Sequence, residues 1–211
     1  MSRIHAPTAL RLQQLVAADW PADAEEARQV MGELSGFLSD PDIANRDWAA
    51  FLLAQSPADG PHVRAALLRA AGDASLQVRG EALLGLARRD RVAALPHVQA
   101  ALTLDEVSVS LLQAAGLCAH PSLIPDLEDW ARPSSNRLAD MAATEALLAC
   151  RLASAHGSAP GERHRSFKFG LQELEDMGNA GLPARAKPPH PRPADQHGAG
   201  PQADEAQHIK P

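Results

Sequence analysis

The chain has 211 residues, of which 45 % are hydrophobic but only 3 % are aromatic, with no Tyr. Its core must therefore be filled mainly by Ala and Leu, a composition that favours close-packed helices over sheets. Residues 1–153 contain 13 Arg, no Lys and 19 acidic residues, a formal charge of −6, and an acidic body argues against nucleic acid as the main partner.

The predicted elements begin with a capping helix over about residues 8–18, which Trp20-Pro21 ends. Similar sequence blocks then recur at a spacing of about 33 residues and predict four helix pairs: 23–38 with 41–55, 61–71 with 75–88, 93–103 with 107–118, and 122–131 with 137–153. The chain is accordingly divided into an N-terminal cap and linker (1–22), a helical domain (23–153) and a tail (154–211).

Internal repetition runs through the helical domain. The heptad "PHVRAAL" at 61–67 returns as "PHVQAAL" at 96–102. With an offset of 33 residues, Asp40 aligns with Asp73 and Arg46 with Arg79. Self-similarity at this spacing is typical of stacked helix pairs, in which each pair buries its apolar face against the next one. The repeated residues are therefore interpreted as a packing requirement.

The pattern D-x-x-x-x-V-R-x-x-A-x-x-x-L, present in "DASLQVRGEALLGL" at 73–86, resembles HEAT repeats of the short bacterial type grouped with phycobilisome-lyase proteins. The first repeat departs from it by having Asn45 in place of Val. The resemblance implies an all-α fold, a right-handed α-solenoid of about four helix pairs. It also implies that the turn Asp and the helix Arg form a hydrogen-bonded ladder between repeats, here from Asp40, Arg46, Asp73 and Arg79.

The repeat pattern stops after Ala153, and the tail 154–211 is rich in Pro, Gly and Ala. Such a composition cannot bury enough apolar surface to offset the entropy of ordering, so the whole tail is predicted to be disordered. Within it, "RHRSFKF" could be a short motif for an acidic partner or nucleic acid, and "FKFGLQELEDMG" could become helical on contact with another surface.

Motifs for catalysis are mostly missing: the sequence has no phosphate-binding loop, no G-x-S-x-G, no H-E-x-x-H and no C-x-x-C. Cys118 and His120 could form a nucleophile pair, but residues two apart on a helix point in different directions. Cys118 and Cys150 are predicted to be buried free thiols. No catalytic residue, metal ligand or cofactor is predicted, and no apolar run reaches the ~18 residues of a membrane span.

One predicted surface lies on the second helix of each pair. Trp48 aligns with Glu81, and since a charged residue is rarely buried, this position is predicted to face water or a partner. The predicted protein-binding stripe consists of Asp47, Trp48, Phe51, Gln55, Glu81, Leu84 and Gln113. The alternative is that Trp48 is a core residue, because the chain has few other large side chains.

The sequence therefore favours a non-catalytic protein–protein interaction module in the cytoplasm, acting through the concave face of a solenoid as a scaffold, an adaptor or an immunity-like inhibitor. Two other functions stay open at this point. One is a phycobilisome-lyase-like protein acting on a tetrapyrrole-carrying protein, and the other is a nucleic-acid-binding HEAT-like protein.

Overall fold

The structure is a computed structural model that describes residues 6–155 and 185–187. Within these residues the chain is mostly helical, which confirms the all-α class. The nine α-helices are α1 (Leu10–Ala17), α2 (Ala24–Phe37), α3 (Ile43–Gln55), α4 (Pro61–Ala70), α5 (Leu76–Arg89), α6 (Arg91–Leu102), α7 (Val109–Cys118), α8 (Ile124–Trp130) and α9 (Arg137–Ala155). A 3-10 turn (Pro121–Leu123) precedes α8, and two short strands, β1 (Glu106–Val107) and β2 (Arg185–Ala186), complete the elements. Every predicted helix is present, with ends within a few residues of the prediction.

The 33-residue period is visible in the residues that begin three of the helices. Asp42, Ser75 and Ser108 are the N-caps of α3, α5 and α7, and each has an extended backbone. Their side chains accept hydrogen bonds from Ala44 N (2.8 Å), Val78 N (3.5 Å) and Leu111 N (3.2 Å) respectively. Each cap satisfies an amide that has no partner inside its own helix, so the period sets where the helices start.

The two PHV heptads show the same burial. In both copies the Val, the second Ala and the Leu are buried, while the His is exposed. The first copy opens α4 at Pro61, and the second occupies the latter half of α6, with Pro96 inside the helix. The apolar residues that the two copies share are thus buried in both, and the interpretation of the repetition as a packing requirement rests on this burial.

Helices α3, α5, α7 and α9 pack against one another in succession, and α2, α4, α6 and α8 each pack against a member of this series. Small residues allow the close approach. A Cβ on Gly85 of α5 would lie 2.9 Å from both Cα and Cβ of Ala54 in α3, and one on Gly116 of α7 would lie 3.4 Å from Cα of Ala146 in α9. As a result α5 is surrounded, and residues 80–87 are all buried.

The short sheet corrects one prediction. The tail was predicted to be disordered throughout, yet Arg185–Ala186 forms β2, which pairs antiparallel with β1, and Arg185 is only 3 % exposed. Composition averaged over a long segment does not reveal a contact made by so few residues. Apart from Lys187, the rest of the predicted tail beyond α9, including "RHRSFKF" and "FKFGLQELEDMG", lies outside the described residues.

Candidate protein-interaction surface

An aromatic pair on α3 is the clearest part of the predicted stripe. Trp48 and Phe51 are each partly exposed, and their rings meet edge to face, with centroids 5.9 Å apart and planes at 88°. Their neighbours Ala49 and Leu53 are fully buried, and Trp48 also packs against the core. Trp48 therefore lies at the border of the core. It is partly exposed, as the binding-surface prediction requires, and it also contacts the core, as the alternative prediction requires.

Two other predicted members of the stripe are buried, and their prediction as surface residues is wrong. Glu81 is 4 % exposed and Leu84 is 0 % exposed. The carboxylate Oε1 of Glu81 accepts a hydrogen bond from Ser110 Oγ of α7 at 2.8 Å. The assumption that a charged residue must face water fails here, because the neighbouring helices approach α5 closely and α7 supplies a polar partner.

The remaining predicted members are polar. Asp47 and Gln55 are partly exposed on α3, and Gln113 is partly exposed on α7. The side-chain oxygen of Gln55 accepts a hydrogen bond from Arg88 Nη1 at 2.5 Å, which fixes Gln55 against the end of α5. The structure therefore brings Asp47, Trp48, Phe51 and Gln55 together on one helix, and α5 does not continue the stripe toward Gln113.

An open groove borders this part of α3. It has a volume of about 480 Å³ and is lined by α1, α2 and the end of α3, including Leu15, Trp20, Leu52 and Gln55. At its edge Arg11 forms an ion pair with Glu33, with Nε 2.7 Å from Oε2. The hydrogen bond from Arg11 holds the pKa of Glu33 below its usual value. The groove thus combines apolar walls with a charged edge.

The predicted ladder has one complete step. Arg46 binds both carboxylate oxygens of Asp73, at 2.8 and 3.3 Å, and donates to the carbonyls of Asp40 and Pro41. Arg79 repeats only the carbonyl bonds, to Asp73 and Ala74. The position 33 residues after Asp73 is Glu106, which lies exposed in β1, and within the described residues the hydrogen bonds of Arg79 go to the two carbonyls and not to Glu106.

Asn45 explains the departure of the first repeat from the pattern. It is 4 % exposed, and its Oδ1 accepts hydrogen bonds from the backbone amides of Thr8 (2.9 Å) and Ala9 (3.1 Å) just before α1. Its Nδ2 donates to Asp40 Oδ1 at 3.2 Å. Because the first repeat receives α1 in place of another repeat, an amide replaces the apolar residue.

Arg89 is a structural residue that the sequence interpretation missed. From the end of α5 it donates hydrogen bonds to the carbonyls of Leu53, Ser56 and Ala58 at 2.8 Å each, and to Ser56 Oγ at 3.1 Å. Burial lowers the pKa of this guanidinium from its usual value. Arg89 therefore satisfies carbonyls at the C-terminal end of α3 and holds the end of the helix that carries Trp48.

No known protein family matches the chain, and no curated protein matches it. A solved structure of the YibA protein of Escherichia coli is similar, with 21 % identity and a TM-score of 0.45, over 65 % of this chain and 54 % of that one. The chain spans about half the length of that protein, and a likeness of this size assigns neither a fold nor a function.

Two further findings concern residues 6–155 and 185–187. Within these ranges no group of three or more His, Cys, Asp and Glu side chains is placed to hold a metal ion. In the same ranges, none of the helices is both long enough and apolar enough to cross a bilayer.

Proposed function

We propose that the chain is a short HEAT-type α-solenoid and acts as a non-catalytic protein–protein interaction module. The solenoid proposal is supported by the 33-residue spacing of the helix caps and by the successive packing of α3, α5, α7 and α9. The right hand that the HEAT resemblance implies belongs to this proposal, as does a location in the cytoplasm, which rests on two unpaired cysteines in helical segments.

The observation that carries the proposal is the partly exposed pair of Trp48 and Phe51 on α3. Large aromatic side chains at a surface are common anchors of protein interfaces, because they bury much area at little cost in side-chain entropy. Asp47 and Gln55 supply polar groups beside the pair, and the groove next to α3 offers an apolar recess for a partner's side chain.

The proposal is tested by capturing partners with the full chain and comparing variants of this surface. Trp48→Ala and Phe51→Ala should each weaken binding of the captured partner by about 2 kcal/mol or more, as is typical of aromatic anchors. Leu68 on α4, which is 41 % exposed, provides the matched control, and Leu68→Ala should leave the affinity unchanged.

Urea unfolding of each variant separates binding from folding. Since Trp48 also packs against the core, Trp48→Ala should cost about 1–3 kcal/mol of stability, less than the ~3–5 kcal/mol typical of a fully buried Trp. If both variants fold and the partner binds them as tightly as it binds the parent chain, then Trp48 and Phe51 do not form the binding surface. A scaffold should bind several proteins, whereas an immunity-like inhibitor should bind one very tightly.

A further inference from the structure

A second site, separate from α3, surrounds the side chain of Arg185. Backbone pairing brings this residue to the body of the protein. In the β1–β2 pair, Glu106 lies opposite Ala186 and Val107 opposite Arg185, and the amide of Lys187 donates to the carbonyl of Asp105 at 2.6 Å. These backbone contacts would accept any extended segment, so they do not by themselves select a residue.

The selectivity comes from the guanidinium group of Arg185. It donates to the carbonyls of Trp130 and Arg132 at the C-terminal end of α8, and its Nη1 lies 3.1 Å from Asp140 Oδ1. The carbon at its centre lies 5.7 Å from the centroid of the Trp130 ring. A planar cation with several donors can satisfy two carbonyls, a carboxylate and a ring face at once, which the compact ammonium of Lys cannot do.

The residues that receive Arg185 are held in place by the body of the protein. Trp130 is fully buried, and its indole N–H donates to the carbonyl of Leu102 at 2.9 Å. Asp140 accepts hydrogen bonds from both the amide and the hydroxyl of Ser134, at 2.7 Å each. Although burial opposes its ionisation, these bonds and the charge of Arg185 hold the pKa of Asp140 below its usual value. Trp130 and Asp140 are therefore each held by a contact that does not involve the tail segment.

We propose that the cleft formed by β1, the C-terminal end of α8 and Asp140 is a binding site for an extended, arginine-bearing segment. Arg185–Lys187 fills it in cis in the free protein, and an arginine-bearing segment of a protein partner replaces it. Twenty-nine residues connect α9 to Arg185, so the contact in cis is intramolecular and does not depend on protein concentration. A partner must therefore compete with the chain's own segment.

A labelled peptide of residues 181–189, "GLPARAKPP", tests the site by fluorescence anisotropy on full-length chains. Because a tethered segment competes at a high effective concentration, the peptide should bind Arg185→Ala about 10- to 100-fold more tightly than it binds the parent chain. Peptides with Ala or Lys in place of the Arg should bind Arg185→Ala at least about 10-fold more weakly than the Arg peptide does.

Three results would overturn the proposal. The first is equal binding of the Arg peptide to both chains, and the second is binding that does not depend on its Arg. The third is dimerisation of the parent chain that increases with protein concentration and is lost in Arg185→Ala. Such dimerisation would show that the segment fills the site of a second copy and not that of its own chain.

Limited proteolysis provides a second test that does not require Arg185→Ala to fold. Trypsin can cut after Arg185, whereas Lys187 is followed by Pro188, which hinders cutting there. Because Arg163, Arg165 and Lys168 are also trypsin sites, the rate is measured as the release of fragment 1–185 from the intact chain. Asp140→Asn should speed cleavage after Arg185 several-fold, because the segment leaves its site more often. Asp126→Asn on α8 is the matched control and should not change this rate. Equal cleavage rates in Asp140→Asn and the parent chain would contradict an arginine site at Asp140.

Discussion

The close contact between α3 and α5 can be tested by adding one methyl group at Gly85. A Cβ there would lie 2.9 Å from both Cα and Cβ of Ala54, and 3.2 Å from Leu67 Cδ2. Two of these atoms cannot move by a rotamer change, so α3 and α5 must separate by several tenths of an ångström. Overpacking a core costs about 1–3 kcal/mol, and contact with backbone places Gly85→Ala near the upper end.

The same substitution also has a favourable contribution, since Ala is preferred to Gly inside a helix by about 1 kcal/mol. The net loss for Gly85→Ala should therefore be about 1–2 kcal/mol. Gly32, within α2, has no atom within 4 Å of a built Cβ, so Gly32→Ala should stabilise the protein by about 0.5–1 kcal/mol. Gly116, with its nearest contact at 3.4 Å, should give an intermediate value.

Urea unfolding followed by helical circular dichroism measures all three variants under one condition. The urea midpoint should be highest for Gly32→Ala, intermediate for Gly116→Ala and lowest for Gly85→Ala. The midpoint of the parent chain should lie above that of Gly85→Ala. A midpoint for Gly85→Ala that rises as much as that for Gly32→Ala would refute the close approach of α3 and α5. It would also remove the explanation for the burial of α5.

Two further predictions concern charge and thiol chemistry. Arg46→Ala should cost about 1.5–3 kcal/mol because it removes a paired, charge-assisted contact to Asp73, whereas Arg79→Ala should cost about 1 kcal/mol; equal urea midpoints would contradict the single-step ladder. Cys150 is fully buried, and burial raises the pKa of its thiol to about 11, so iodoacetamide at pH 8 should label Cys150 in the native protein at least about 100-fold more slowly than free cysteine. Cys118 is only partly buried, so the two sites are resolved by mass spectrometry of the labelled peptides. Labelling of Cys150 should accelerate in urea and as pH rises, and rapid labelling of Cys150 in the native chain at pH 8 would show that this thiol is not shielded.

The helices and their period could be predicted because local features determine them. Apolar spacing and capping act within one or two turns, so the helices were predicted from the sequence, whereas the caps Asp42, Ser75 and Ser108 were identified only in the structure. The burial of Glu81 depends on something less local. Its hydrogen-bond partner Ser110 belongs to another repeat, and the space around α5 is set by how closely other helices approach. An alignment of repeats identifies equivalent positions but does not give their exposure.

Only part of the candidate surface was predicted, because helical spacing is local whereas exposure depends on neighbouring helices. Trp48 and Phe51 lie on one face of α3 by helical spacing, and the structure leaves both partly exposed. Leu84, the equivalent of Phe51 in the second repeat, is buried because α5 has neighbours on all sides, whereas α3 lies near the N-terminal end of the helix series. The position of a repeat in the series therefore affects exposure as much as the residue type does.

Arg89 and Arg185 make contacts that the sequence pattern did not reveal, and both donate hydrogen bonds to carbonyls at the C-terminal end of a helix. The C-caps of α3 and α8 are Ser56 and Ala131, and neither is a glycine, so the last carbonyls of these helices need other donors. Arg89 supplies them for α3 from the adjacent α5, and Arg185 supplies them for α8 from the tail. A guanidinium suits this position because it has several donors and its charge complements the negative end of the helix.

This shared role has a consequence for any partner at the second site. A segment that displaces Arg185 also removes the donors at the end of α8, and leaving partly buried carbonyls without partners is unfavourable. A segment that brings its own arginine restores those bonds, whereas one that binds β1 through backbone pairing alone does not. The helix end therefore penalises competitors that lack arginine, and this penalty, more than the strand pairing, makes the site selective.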